Sequence, residues 1–433
     1  MTKNSPQTST PRLRFPEFRK WKAWEQRQAG ELFTNRIEHG EDGLPIYSVT
    51  IDDGMVKRSS LERKVDDIAD SEGNKNVHKN DIAYNMMRMW QGAFGVAVED
   101  CMVSPAYVVL TPREGVSSEF VGRLLKTPWS LRSLTSHSHG LTKDRLRLYY
   151  KDFAQISLPL PSLAEQKKIA DCLMSLDELI AAQGRRVEAL KAHKKGLMQQ
   201  LFPREGETLP RLRFPEFRDK PEWKPTSLDE LVDIQSGGTP SKANPAFWNG
   251  SVPWVSAKDM KNLFLEDAQD HISAAAIDDG SKLVPAGTLL MLVRGMTLLK
   301  DVPICVLRRE MCFNQDVKAL CPKVDADGLF LAFLLLGNKQ RLLKMVDIAG
   351  HGTGKLNTDE LKALELVSPQ PAEQQRIADC LSALDARIAA EADKLAAVKT
   401  HKKGLMQQLF PDLQEAVSPR PASGRGAGGE GAK

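Results

Sequence analysis

A chain of 433 residues has room for two or three domains, each with its own core, and 41% apolar with 27% charged residues is an ordinary soluble composition. The longest apolar run, Leu329 to Leu336, is far short of the ~20 residues a bilayer demands, and the polar start MTKNSPQTST is neither a signal nor a transit peptide. No membrane partner is expected and the cytoplasm is the expected compartment, while a net charge of +4 permits nucleic-acid binding only if the basic residues share one face.

In chain order, the first feature is an opening motif, PRLRFPEFR at Pro11 to Arg19, which returns at Pro210 to Arg218. A variable region of about residues 20 to 160 follows. It carries short β-like runs, Gly92 to Val98 and Ala106 to Leu110, a turn at Asp53-Gly54 and one helical stretch around Glu119 to Leu134. Ser162 with Glu165 three residues later is a capping box, and from there to Gln200 only Gly184 and Gly196 disfavour a helix. Phe202-Pro203 stops it.

The second half repeats the plan. Residues 219 to 368 are variable, with turns at Gly237-Gly238 and Pro285-Ala286-Gly287, a β-like run at Thr288 to Val293 and a helical stretch at Gly328 to Met345. Pro371 opens a second long helix, and HKKGLMQQLFP (His193 to Pro203) recurs at His401 to Pro411, 208 residues on. A repeat of this length dictates architecture. The tail after Pro411 is rich in Gly, Pro, Ser and Ala and is expected to be disordered.

Along the first helix, Ile169, Leu173, Leu176, Ile180, Val187, Leu190 and Leu197 keep alternating spacings of three and four; Ile377, Leu381, Leu384, Ile388, Leu395, Val398 and Leu405 repeat them. Gln183 with Glu391, and Lys194 with Lys402, interrupt both seams at equivalent places. Two such stripes bury each other as a coiled coil. About 39 residues at ~1.5 Å each make a rod near 60 Å, too long to lie on one small core. The expected domains are therefore 1–160, helix 161–205, 206–368, helix 369–411 and tail 412–433. Each variable region is expected to be α+β with a curved, mainly antiparallel sheet.

Catalytic signatures are missing. No G-x-G-x-x-G follows a strand, no metal spacing of the H-E-x-x-H or Cys/His kind occurs, and Gly350 to Leu356 only mimics a P-loop, lacking Ser or Thr after Lys355. Six cysteines without a C-x-x-C pair suggest reduced thiols. What remains is a set of polar and basic residues in matching parts of the two variable halves. In the first these are Asn85, Arg88, Gln91, His139, Lys143 and Arg145; in the second Ser236, Thr239, Ser241, Lys242, Ser256, Lys258, Arg294, Gln315, His351 and Lys355. Arg with Gln, Asn, Ser and Lys is the set that reads base edges and holds phosphates, although any one of them alone is more often a solvated surface group.

Taken together, PRLRFPEF, MRMWQGAFGVA (Met87 to Ala97) followed by SPAYVVL, the run Ser236 to Met260, FNQDVKAL (Phe313 to Leu320) and the twice-used LPSLAEQKKIADCL helix entry resemble the specificity subunits of type I restriction-modification systems. The resemblance implies two α+β target-recognition domains separated by two long helices packed as an antiparallel coiled coil, in a pseudo-two-fold tandem repeat. It also implies a non-catalytic subunit on double-stranded DNA with a bipartite, asymmetric site. Two methyltransferase subunits would dock on the helices, and two restriction subunits would complete the full assembly. S-adenosylmethionine, ATP and Mg would belong to those partners and none to this chain. The residues alone leave two other readings open: a divergent methyltransferase or nuclease, which the lack of an Asn-Pro-Pro-Tyr-type loop disfavours, and a coiled-coil scaffold without DNA contact.

Overall fold

The computed structural model describes residues 9–61, 71–142, 145–349 and 352–413. The chain divides into two compact units, residues 1–182 with 395–433, and residues 183–394. Among the described residues no helix is long and apolar enough to cross a membrane.

In the first unit, strands Phe33–Arg36, Tyr107–Pro112, Ile82–Asn85 and Phe94–Val96 lie side by side in that order, all antiparallel. A second sheet has the order Met55–Lys57, Ile46–Val49, Cys101–Val103, Lys75–Val77, and its central pair is parallel. The second unit repeats both sheets. Val232–Ser236, Val317–Pro322, Leu289–Leu292, Ile304–Leu307 and Phe264–Leu265 form one; Asp270–Ile272, Val252–Val255, Met311–Phe313 and Lys282–Val284 form the other, again with a central parallel pair. It adds a small sheet of Arg294–Gly295, Thr353–Leu356 and Val346–Ala349. The expectation of one curved, mainly antiparallel sheet per region is thus corrected: among the described residues each unit has two larger sheets and a two-stranded one, Glu25–Gln28 with Ser157–Leu160 or Lys224–Ser227 with Glu365–Ser368, besides the small sheet of the second unit. Parallel neighbours from strands some fifty residues apart leave no local signature in sequence.

The helical stretches expected at Glu119 to Leu134 and Gly328 to Met345 are each two helices. In the first unit Ser118–Leu125 ends before Thr127, whose side chain caps Pro128–Ser136 with the proline in its first turn. In the second, Gly328–Gly337 gives way at Asn338, and Lys339–Lys344 follows.

The long helices, Leu163–Leu201 and Pro371–Leu409, are 39 residues each, and each contributes a part to both units. In the first unit Ile169 and Leu173 share a core with Leu409 and Phe410, and Asp177 pairs with Lys402, so the helix parts run antiparallel. In the second, Leu201 and Phe202 pack with Ile377 and Leu381, and Lys194 holds Asp385 at 2.6 Å. Val187 is 4% exposed, whereas Leu176, Ile180, Leu190, Leu197, Leu384, Ile388, Leu395, Val398 and Leu405 are half-buried. A seam between only two helices leaves the outer flank of each residue in water. Gln183 donates to the carboxylate of Glu391 at 2.6 Å, a residue meeting its own repeat 208 positions on.

Burial alone would raise the pKa of Asp177, but hydrogen bonds from Lys402 and Arg123 outweigh it and hold the carboxyl below the usual aspartate range. A depressed carboxyl stabilises fully above its unfolded pKa, and that stability is lost as pH falls through the folded value. The stability gap between the native chain and Asp177→Asn should therefore narrow as pH drops below about 4, in denaturant melts taken across that range. A gap that stays constant would mean the carboxylate charge does not act there.

The repeated opening motif and the repeated helix entry turn out to be two halves of one contact. Arg14 donates two hydrogen bonds of 2.7 Å to Glu165, which also accepts from the Trp24 indole at 3.3 Å. Arg213 repeats this on Glu373 at 2.8 and 2.7 Å, with Trp223 at 3.2 Å. The remaining guanidinium hydrogens bond carbonyls of Trp21 and Lys22, or Lys220 and Pro221. The next residue completes the entry: Gln166 accepts from the Ser117 amide at 2.9 Å, and Gln374 from that of Asp327 at 2.9 Å.

Candidate nucleic-acid interface

In the second unit, several of the polar residues singled out from sequence meet at one end of the larger sheet. Arg294 lies directly across from Lys355 on the small sheet. Ser236 is the cross-strand partner of Lys318 and accepts a 2.5 Å hydrogen bond from its ammonium. Thr239 bonds the Gln315 side chain. The Gly237-Gly238 turn makes this possible, because a side chain at Gly237 would collide with the carbonyls of Phe313 and Asn314. Ser256 follows a strand whose last carbonyl takes the Asn314 amide, and its hydroxyl bonds Asp259 at 3.1 Å.

Lys318 was not singled out in sequence. It stands on a central strand between buried Val317 and Ala319, and its pKa lies below the ordinary lysine value, first from burial and then from the charge of Arg294. A lone lysine in the apolar run VKALC is the signal that could have marked it. Among the described residues, Arg294, Lys318 and Lys355 form no ion pair with a carboxylate.

The other candidates in this unit have partners of their own or lie in the open. Lys258 is paired with Asp270 at 2.7 Å, the Ser241 carbonyl accepts from the Trp248 indole at 3.2 Å, and Lys242 is exposed. His351 lies outside the described residues.

In the first unit, Asn85 ends a central strand, and Arg88 and Gln91 occupy the tight turn after it. That turn is held by the Asn85 side chain on the Met87 amide at 2.9 Å and closed by Gly92 at φ 91°. His139 and Arg147 exchange backbone hydrogen bonds of 2.9 Å in a hairpin whose Leu148 amide bonds the carbonyl of Met86, so this hairpin lies along the turn. His139 faces Asp152 at 3.2 Å. Arg88, Gln91 and Arg145 are exposed; Lys143 lies outside the described residues. Behind the turn, Lys126 bonds the carbonyls of Gly92 and Ile51 and covers the Phe94 ring at 4.8 Å.

The two ends are not chemically equivalent. Leu110 pairs with Ile82 as Leu320 pairs with Leu289, which makes Val108 the counterpart of Lys318. Among the described residues no group of His, Cys, Asp or Glu is placed to hold a metal ion.

Residues 22–192 and 220–400 each match the family model described as the type I restriction modification DNA specificity domain. The chain is 28% identical over 252 residues to the specificity subunit of the type I restriction enzyme EcoR124I/EcoR124II of Escherichia coli, covering 56% of this chain and spanning 59% of that relative. It is 20% identical over 416 residues to the HindI specificity subunit of Haemophilus influenzae, covering 80% and 90% of the two chains. The solved S subunit of the type I restriction-modification system from M. genitalium has a similar fold, with a TM-score of 0.60 at 16% identity, over 94% of this chain and 100% of that one. With two family matches spread over most of its length, the chain belongs to the type I restriction modification DNA specificity domain family.

Proposed function

We propose that this chain is the DNA-recognition subunit of a cytoplasmic type I restriction-modification complex and is itself non-catalytic. Each unit reads one half of a bipartite site in double-stranded DNA. Asn85, Arg88, Gln91, His139, Lys143 and Arg145 serve the first half; Ser236, Thr239, Ser241, Lys242, Ser256, Lys258, Arg294, Gln315, His351 and Lys355, joined by Lys318, serve the second. The long helices carry two methyltransferase subunits, and two restriction subunits complete the nuclease. S-adenosylmethionine, ATP and Mg are held by those partners. One observation carries the reading: among the described residues, Arg88 and Arg145 at one sheet end and Arg294, Lys318 and Lys355 at the equivalent end make no ion pair, yet the ends differ in identity, Lys318 against Val108. Unpaired cations suit phosphates, and unlike ends suit unlike half-sites.

The test is methylation mapping after residues 20 to 158 are replaced by the corresponding region of a relative. One half of the methylated sequence should change and the other stay. Change in both halves would refute the two-reader arrangement, and purified chain that shows no salt-dependent affinity for duplex would refute DNA recognition itself.

A further inference from the structure

The hairpins at the two polar sheet ends share one register although their sequences differ. In the first unit His139 pairs with Arg147, and the Leu148 amide donates to the Met86 carbonyl at 2.9 Å. In the second, Asp347 pairs with Lys355, and the Leu356 amide donates to the Val293 carbonyl at 2.8 Å. His139 and Asp347, like Arg147 and Lys355, lie 208 residues apart, the offset of the repeat. The sheets agree: Tyr84 stands opposite Val108 as Met291 stands opposite Lys318, which makes Met86 the counterpart of Val293. Each end therefore carries one row of three places. Met87, Arg147 and His139 fill it in the first unit and Arg294, Lys355 and Asp347 in the second, all six exposed.

The middle place is a cation in both rows. Among the described residues neither Arg147 nor Lys355 makes an ion pair, even though Asp347 is the cross-strand neighbour of Lys355. His139, beside Arg147, faces Asp152 at 3.2 Å. Each cation is followed by a core leucine, Leu148 or Leu356, so its strand is anchored from behind. The outer places differ in kind, Met87 against Arg294 and His139 against Asp347. Two unlike half-sites have the sugar-phosphate backbone in common and differ in their bases. A shared cation suits the first, and an exchanged neighbour suits the second.

Met87 is also presented from a fixed backbone. Its amide donates to the Asn85 side chain at 2.9 Å and its carbonyl accepts from the Trp90 indole at 3.0 Å, while the residue stays 45% exposed. The Arg294 amide is likewise tied, to the Asp316 carbonyl at 3.2 Å. A tied main chain limits where the side chain can reach, as a reading residue requires. In the major groove an apolar side chain meets the thymine methyl, whereas arginine fits the two acceptors of guanine.

We propose that Arg147 and Lys355 each hold a DNA phosphate in their own half-site, and that the place beside them is a specificity-determining position, where Met87 reads thymine and Arg294 reads guanine. The assignment rests on the reading above, in which each unit recognises duplex DNA. It divides the row into a part that supplies affinity and a part that supplies sequence preference, and it adds Met87 and Arg147 to the first unit's interface.

The experiment exchanges residues between equivalent places in the full-length chain and maps the sequences methylated with its cognate methyltransferase subunit. Met87→Arg should move one base preference in the first half-site from thymine to guanine by roughly tenfold or more and leave the second half-site alone. Arg294→Met should make the opposite change in the second half-site only. Arg147→Gln and Lys355→Gln should keep the native sequence, weaken specific and random duplex by the same factor, and each lower the slope of log affinity against log salt by about 0.9. All four side chains are exposed, so the variants should melt with the native chain; should an exchange lower the melting temperature, Met87→Gln or Arg294→Gln tests the same position. Folded variants at Met87 and Arg294 that keep the native methylated sequence overturn the base assignment. Cation variants that shift a base preference, or leave the salt slope as it was, overturn the phosphate assignment. Either result leaves DNA recognition by the two units standing, whereas a native complex that methylates no defined sequence overturns the function reading as well.

Discussion

Replacing Glu165 by alanine is expected to destabilise the first unit by about 3–5 kcal/mol, because it strips a buried guanidinium of its carboxylate. Glu165 is fully buried and the Arg14 side chain only 8% exposed. Without the carboxylate, Arg14 keeps two backbone carbonyls, and the Trp24 indole N–H loses its acceptor. A domain stable by roughly 5–15 kcal/mol loses a large fraction of that margin. Glu373→Ala should do the same to the second unit, where Arg213 and Trp223 are left in the same condition. The decisive comparison is with the double replacement Arg14→Met with Glu165→Leu. It removes both charges and should cost less than Glu165→Ala alone, since most of the single-variant penalty is the orphaned charge and not the lost attraction. Urea melts of the three proteins check this. A Glu165→Ala variant within about 1 kcal/mol of the native chain would show that the ion pair does not hold the opening segment to the helix.

That contact also shows where sequence reading stops. The long helices were legible because their signal is local: Ile169, Leu173 and Leu176 repeat at spacings a helix converts directly into one stripe. The duplication was legible because identical strings need no physics to recognise. Arg14 and Glu165 are 151 residues apart, and neither motif names the other. The available clue was that an arginine motif and a glutamate motif occur once in each copy, which is the pattern an intramolecular partnership leaves. Sheet pairing failed for a related reason: Ile46–Val49 and Cys101–Val103 are parallel neighbours although some fifty residues separate them, and neither run names the other. The polar end of the second unit was half legible. Ser236, Arg294, Gln315 and Lys355 declare themselves by residue type, but Lys318 joins them only through the register of Val317–Pro322 against its neighbours.

Lys318→Met is expected to weaken duplex binding by about 1–3 kcal/mol, the range of a good polar contact to nucleic acid, while leaving the free protein at least as stable as before. The two halves of this expectation have opposite signs. Folding lowers the pKa of Lys318, through burial and then through Arg294. A cation whose pKa falls on folding opposes folding wherever it is charged, so at neutral pH its ammonium works against the folded state and deletion relieves it. Methionine keeps the length of the stem, and the equivalent strand of the first unit already carries Val108 at this place. A structural lysine would behave the other way, with stability falling and binding following it. Arg294→Ala and Lys355→Ala separate two ways of contacting DNA. A phosphate contact should weaken all duplexes alike and reduce the slope of log affinity against log salt by about 0.9, whereas a base contact should relax the sequence preference at one position of the second half-site. Methylation mapping of each variant reads the second effect, and salt titrations with specific and random duplex read the first. Should Lys318→Met lose stability while its duplex affinity, corrected for the unfolded fraction, stays unchanged, this end of the sheet is part of the scaffold and the second half-site is read elsewhere.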